Sequence, residues 1–266
     1  MTMKYLKPIF LADCTYTEIK DSLENGKPVA ILPIGATETH GPHLPLQTDI
    51  LLATEAAHRA ASRLREDKIE VFVLPTVPYT VCQMGFGFAG TINIDPDTMV
   101  AFVREILVSL AQHGFRYICV NNAHLEPASV STWKRAVQEA RESSGAHIVY
   151  LDQREPRWAD RMPNEFNAGD RHAGRYETGM VMAKWPELVR EDIRQNLPPI
   201  KIDLPTAQAK GARSFQEAGA PQGYFGDPAR ATAQEGENAF QALAEMLVIT
   251  IKEMMDSPET TGKSQG

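Results

Sequence analysis

Histidines and carboxylates gather in three short stretches of the chain. The first reads Gly35-Ala-Thr-Glu38-Thr-His40-Gly-Pro-His43-Leu-Pro-Leu-Gln-Thr-Asp49. In extended chain, residues i and i+2 point the same way, so Glu38 and His40 project from one face. Asp49 follows at the start of the next helix, after a loop stiffened by Pro42 and Pro45. A carboxylate, an imidazole and a second carboxylate brought together suit a divalent metal ion. Taken alone, the segment also fits a helix-capping Asp49 and a solvated Glu38. The second stretch, Asn121-Asn122-Ala123-His124-Leu125-Glu126-Pro127, again sets an imidazole and a carboxylate two residues apart. Together they offer Glu38, His40, Asp49, His124 and Glu126. Five such ligands, three of them carboxylates, suggest two metal ions with one carboxylate bridging. Two divalent ions about 3.5–4 Å apart can share a hydroxide that is nucleophilic at neutral pH.

The third stretch runs Asp170-Arg171-His172-Ala-Gly-Arg-Tyr176-Glu177-Thr178. Its histidine has the pKa range needed to carry a proton beside such a hydroxide. Glu177 could hold that ring in place, or be a first-turn residue favoured by the helix dipole. A fourth segment, Cys82-Gln-Met-Gly-Phe86-Gly-Phe88-Ala-Gly90-Thr91, reads as an aromatic loop. It could wall a substrate pocket or close the edge of a sheet. His43, Cys82, Phe86, Phe88 and Tyr176 are the candidate substrate contacts. His43 fits a position facing substrate or behind a ligand better than a ligand position. His58, His113 and His147 lie in ordinary contexts.

Residues so placed need a frame. Val29 to Gly35, following Pro28, is an apolar run bounded by turn residues, as a buried parallel strand is. Further strands are expected at 71–77, 115–120 and 147–151. Helices are expected over 50–65, 96–112, 127–143, 176–185 and 231–255, with Asp95-Pro96 as cap and first residue of one of them. Strands alternating with helices give right-handed βαβ units and a mostly parallel sheet. Ligands bind such sheets at the carboxyl ends of the strands, where the first two motifs fall. The stretch 152–226 is less regular, and the end of the chain reads as a polar tail.

The composition bounds the rest. A chain of 266 residues, 43 % of them apolar, can bury one large core without crosslinks. With 34 acidic against 27 basic side chains the net charge is −7, which argues against a nucleic-acid binder. Cys14, Cys82 and Cys119 form no CxxC pair, so neither a disulfide framework nor a cysteine metal site is expected. The metal ligands are therefore expected to be carboxylates and imidazoles, with no cysteine near them. No apolar run approaches the ~20 residues of a membrane span. A cytoplasmic protein is the expectation.

Glu38-Thr-His40-Gly-Pro-His43-Leu-Pro-Leu-x-Thr-Asp49 resembles the signature of the creatininase (creatinine amidohydrolase) family. Asn122-x-His124-x-Glu126, Gly90-Thr91-Ile92 and His172-Ala-Gly-x-x-Glu177-Thr178 extend the resemblance over roughly residues 12–250. It implies a three-layer α/β/α sandwich spanning residues 1–255, with 256–266 as tail. It implies two divalent ions per chain, zinc, manganese or iron. By matching position, Glu38, Asp49 and His124 hold one ion, and His40, Asp49 and Glu126 the other, with Asp49 bridging. His172 matches a proton donor to the leaving group. A homo-oligomer, commonly a hexamer, is also implied. The chain departs from the family in having Ala123 where a glycine is usual. It also has Tyr79-Thr80-x-Cys82-x-x-Gly85 where a serine and a histidine are usual. The metal ligands are kept and the pocket wall is changed, so creatinine itself is not the expected substrate.

The expected activity is hydrolysis of a C–N bond in a small cyclic amide, by attack of a bridging hydroxide with His172 as proton donor. Two other readings stand beside it. One is hydrolysis of a ring carbon–carbon bond in a cyclic diketone such as an oxidised inositol. The other is a mononuclear iron oxidoreductase with two histidines and a carboxylate. Metal stoichiometry and a screen of ring compounds separate the three.

Overall fold

The computed structural model describes residues 7–169 and 171–257, so Asp170 and residues 258–266 of the expected tail lie outside the described residues. Four strands form one parallel sheet: β1 (Val29–Ile34), β2 (Val71–Val73), β3 (Tyr117–Asn122) and β4 (His147–Leu151), in the order β2-β1-β3-β4. The central strand β1 pairs with β3 from Val29↔Tyr117 through Ile34↔Asn122. All six of its residues are buried, which is why it is apolar throughout rather than alternating.

Alternate side chains enter two cores. Val29, Ile31, Val71, Val73 and Cys119 face α2 (Thr48–Glu66), α6 (Arg175–Lys184) and α9 (Ala233–Asp256). Ala30, Leu32, Ile34, Phe72, Ile118, Val120 and Ile148 face α3 (Pro96–Gln112) and α4 (Pro127–Ser144). The result is the expected α/β/α sandwich. Asp95 caps α3, its Oδ1 accepting the amides of Asp97 and Thr98 at 2.9 and 3.2 Å.

Some boundaries differ from the sequence reading. Strand β2 ends at Val73, because Pro75 interrupts pairing and only Val77 returns, in a single bridge to Ile34. Strand β3 runs on through Asn121 and Asn122, which pair with the end of β1. Helix α1 (Tyr16–Asn25) was not expected, although its capping box, Thr15 with Glu18, stands in the sequence. The irregular stretch 152–226 carries the short helices α5 (Asn164–Ala168), α7 (Glu191–Arg194) and α8 (Leu204–Ala209) besides α6. Among the described residues, no helix is long and apolar enough to cross a membrane.

Helix α6 carries Glu177 and is held against α9 by a close backbone approach at Gly179 and Gly236. A Cβ on Gly236 would lie 1.9 Å from the Gly179 carbonyl oxygen and 2.4 Å from the Met180 nitrogen. Only glycine fits there. Gly236→Ala should cost about 1–3 kcal/mol of unfolding free energy, as overpacking does. The exposed Gln234→Ala should stay within about 0.5 kcal/mol of the parent. Urea unfolding of both variants checks this, and equal stability would contradict the packing described.

Candidate metal centre

The end of β1 leads into Gly35, over which the first turn of α2 passes. A Cβ on Gly35 would meet the Ile50 nitrogen at 2.5 Å and the Asp49 carbonyl carbon at 2.7 Å. The missing side chain thus lets Asp49 sit against the segment that delivers Glu38 and His40. The end of β3 delivers His124, whose amide is fixed by the Asn122 side chain at 3.1 Å. Ala123, where the family usually has glycine, needs no left-handed backbone; among the described residues, the non-glycine residues with positive φ are Lys68 and Ala173.

Glu38, His40, Asp49 and His124 are all at most 4 % exposed. His124 Nδ1 lies 2.7 Å from Glu38 Oε1 and 3.2 Å from Asp49 Oδ2. His40 Nε2 lies 3.3 Å from Asp49 Oδ1 and 3.4 Å from Glu177 Oε2. The two oxygens of Asp49 therefore face different imidazoles. Despite these short distances, Glu38 Oε1, His40 Nε2, Asp49 Oδ2, His124 Nε2 and His172 Nε2 have no hydrogen-bond partner. Buried polar atoms are rarely left so, and a buried cluster of carboxylate oxygens and imidazole nitrogens suits a cation. Among the described residues, three groups have ligand atoms within 4.8 Å of one another: Glu38 with Cys82 and His124, Glu38 with His40 and His172, and His40 with Asp49 and Glu177. The side chains thus fit divalent ions.

Two carboxylates lie elsewhere than the sequence reading set them. Glu126 accepts the amides of Gln83 and Met84, both at 3.2 Å, and its Oε2 lies 3.6 Å from His124 Nε2 rather than beside His40. Glu177 accepts the Ala173 amide at 2.7 Å, which turns it toward His40. Ala173 has φ +52, a strained value for a residue with a Cβ, and sits between His172 and this carboxylate. His172 approaches Glu38, Nδ1 to Oε1 at 3.8 Å, and stacks on Phe215 with ring centres 4.4 Å apart.

One expectation is corrected outright. Cys82 is not remote from the cluster: its thiol donates to Glu38 Oε2 at 2.9 Å. The loop 82–91 folds back over the end of β1, a proximity that spacing in the sequence does not reveal.

A cavity of about 620 Å³ opens onto the cluster, lined by Glu38, Asp49, His124, Glu126, His172 and Glu177 together with residues of 154–225. The five candidate substrate contacts do not line it. His43 Nε2 is engaged with Thr178 Oγ1 at 2.9 Å, behind the cluster. Cys82 points at Glu38. Phe86 is 63 % exposed, Phe88 packs beside Met84 and Phe215, and Tyr176 stacks edge-on with Phe166. The wall comes instead from Met84, Phe215, Phe225, Arg154 and Arg171, four of them in the irregular stretch where periodicity gives no signal.

The charges support one another. Burial alone would lower the His40 pKa, but Asp49 and Glu177 raise it to about 10. Burial likewise opposes protonation of His124, and Glu38 with Asp49 and Glu126 still raise it well above the ordinary value. Burial would raise Glu38 and Asp49, yet the neighbouring imidazoles hold both below the carboxylate range. Glu177 goes the other way, up to about 8, because burial outweighs the attraction of His40. Burial also lowers His172 to about 4 and His43 to about 3.

Buried carboxylates and imidazoles at the strand ends of a parallel α/β/α sheet are the centre of a metal-dependent hydrolase. The profile of the creatininase family, creatinine amidohydrolase, matches residues 12–251, and the chain belongs to that family. It is 30 % identical over 244 residues to the mycofactocin precursor peptide peptidase of Mycobacterium tuberculosis (strain CDC 1551 / Oshkosh), covering 89 % of this chain and 90 % of the relative. It is 30 % identical over 208 residues to the creatinine amidohydrolase of Pseudomonas putida, covering 73 % and 78 %. Among solved structures, a manganese creatininase superposes with a TM-score of 0.74 at 25 % identity, over 94 % of this chain and 100 % of that one.

Without a cation, the facing carboxylates favour the protonated forms of His40 and His124. Loading a divalent ion must displace those protons. Calorimetric titration of metal-free protein with zinc, in two buffers of different ionisation enthalpy, should show net proton release. Heats independent of the buffer would contradict this arrangement.

Proposed function

We propose that the protein hydrolyses an amide C–N bond at a centre of two divalent ions. The observation that carries the reading is Asp49, fully buried, with one oxygen toward His124 and the other toward His40. Glu38, Asp49 and His124 would hold one ion, and His40, Asp49 and Glu177 the other. When bound, the ions supply Lewis acidity and an acidified water.

The remaining work falls to side chains around the cavity. Glu126 keeps its carboxylate at the cavity wall by accepting two loop amides. It is positioned to take a proton from the attacking water. His172 is kept neutral by burial, and its Nε2 has no partner. That nitrogen can take up a proton and pass it to the departing amine. Phe215 and Phe225 flank the His172 ring and fix its plane.

The sequence reading specified a small cyclic amide. A cavity of about 620 Å³ exceeds what one five-membered ring fills and lies in the range of drug-sized ligands. The peptidase relative points the same way, so the substrate class extends to open-chain, peptide-like amides. A further relative, a 3-dehydro-scyllo-inosose hydrolase of Thermotoga maritima (strain ATCC 43589 / DSM 3109 / JCM 10099 / NBRC 100826 / MSB8), is 20 % identical over 277 residues, covering 93 % of this chain and 84 % of the relative. It keeps ring opening of a cyclic ketone as the second reading.

The test is turnover by metal-loaded protein of cyclic amides, short peptides and cyclic diketones. Amide hydrolysis is expected; ring opening of diketones alone would overturn the reading. In the active assay, His172→Ala and Glu126→Gln should each lower kcat by about 10²–10⁴-fold while metal content stays at the parent level. Full activity in both variants would remove these two proton carriers from the account.

A further inference from the structure

Away from the metal centre, the cavity wall carries an excess of positive charge. Arg154, Arg171 and Lys201 line it, against Asp203 at the rim. Asp203 is exposed and already caps α8, accepting the Thr206 amide at 3.0 Å and its hydroxyl at 2.6 Å. Arg154 pairs with the buried Asp152 through two hydrogen bonds of 2.9 and 3.0 Å. The Lys134 ammonium lies 2.9 Å from the same carboxylate. One anion thus serves two cations.

Arg171 has no carboxylate partner among the described residues. Its Nε donates to the Phe166 carbonyl at 2.7 Å, and its Cζ sits 4.6 Å over the Phe166 ring. These two contacts fix the plane of the guanidinium. Both terminal amino groups are left without an acceptor among the described residues, in a side chain that is only partly exposed. The charge of Arg154 adds to burial in lowering the Arg171 pKa, while that of Asp152, already shared with Arg154 and Lys134, acts the other way. Both arginines line the cavity, and the oriented guanidinium of Arg171, free of a carboxylate partner among the described residues, offers a donor fork that matches a planar carboxylate.

We propose that this wall is a recognition subsite for a carboxylate of the substrate, held by Arg171 with Arg154 and Lys201 beside it. The inference rests on the amide-hydrolase reading and narrows it. The scissile amide would belong to a molecule whose free carboxylate reaches across the cavity from the metal centre, such as a peptide with an unblocked C-terminus. A neutral lactam would leave Arg171 unpaired.

The test compares two N-acetyl dipeptides of one sequence, with a free C-terminal acid and with a C-terminal amide. Both are presented to zinc-loaded wild type, Arg171→Gln and Arg171→Lys. Affinity is read by calorimetry, or as KM where a compound is turned over. In wild type the acid should bind at least about tenfold tighter than the amide. Arg171→Gln should weaken the acid about 10- to 100-fold and leave the amide within about twofold. Arg171→Lys should recover part of the loss, and zinc content should match wild type throughout. Equal affinity for acid and amide in wild type would overturn the proposal. So would an acid whose tighter binding survives Arg171→Gln, since its carboxylate would then lie on the metal centre. Binding does not require turnover, so the subsite is judged even if no amide is hydrolysed, an outcome that would sink only the hydrolase reading.

Discussion

The fold depends on a charge problem at the carboxyl ends of β1 and β3. Glu38, Asp49, His40 and His124 are withdrawn from water within a few ångström of one another. A lone buried charge costs several kcal/mol. Here each carboxylate has an imidazole and each imidazole a carboxylate, with Asp49 facing both rings. Glu38 Oε1, Asp49 Oδ2, His40 Nε2 and His124 Nε2 have no hydrogen-bond partner, and the grouped carboxylates and imidazoles around them suit a cation. Every element around the centre serves to hold this arrangement closed.

The sheet supplies the spacing. The register of β1 on β3 brings Ile34 beside Asn122, so the motifs after the two strands start side by side. Gly35 lets α2 approach until Asp49 joins them. On the opposite face of the centre, the glycine contact between α6 and α9 brings in Glu177, and the strained Ala173 aims it. Backbone amides of the loop after Thr80 hold Glu126 at the cavity wall. None of these supports is itself reactive, yet each fixes where a reactive group points.

Much of this was legible in the sequence, and the reason is local. Strand runs and helix caps are written within a few residues, and Glu38, His40, Asp49 and His124 stand in motifs tied to strand ends. What stayed illegible depends on contacts across the chain. The approach of Cys82 to Glu38 spans 44 residues. The exchange of neighbours between Glu126 and Glu177 depends on which backbone amides fold back onto each carboxylate. The cavity wall, with Arg154, Arg171 and Phe215, comes from the irregular stretch, where no periodicity assigns a side chain to a face. The aromatic loop looked like a wall because of its composition. Phe86 points to solvent, and Met84 supplies the contact instead.

The divided carboxylate of Asp49 is the centre of the account, and diffraction from crystals loaded with manganese or zinc tests it most directly. Anomalous scattering should give two peaks per chain about 3.5–4 Å apart. One should lie among Glu38, Asp49 and His124, and the other among His40, Asp49 and Glu177. A single peak, or a second peak that Asp49 does not touch, would contradict it.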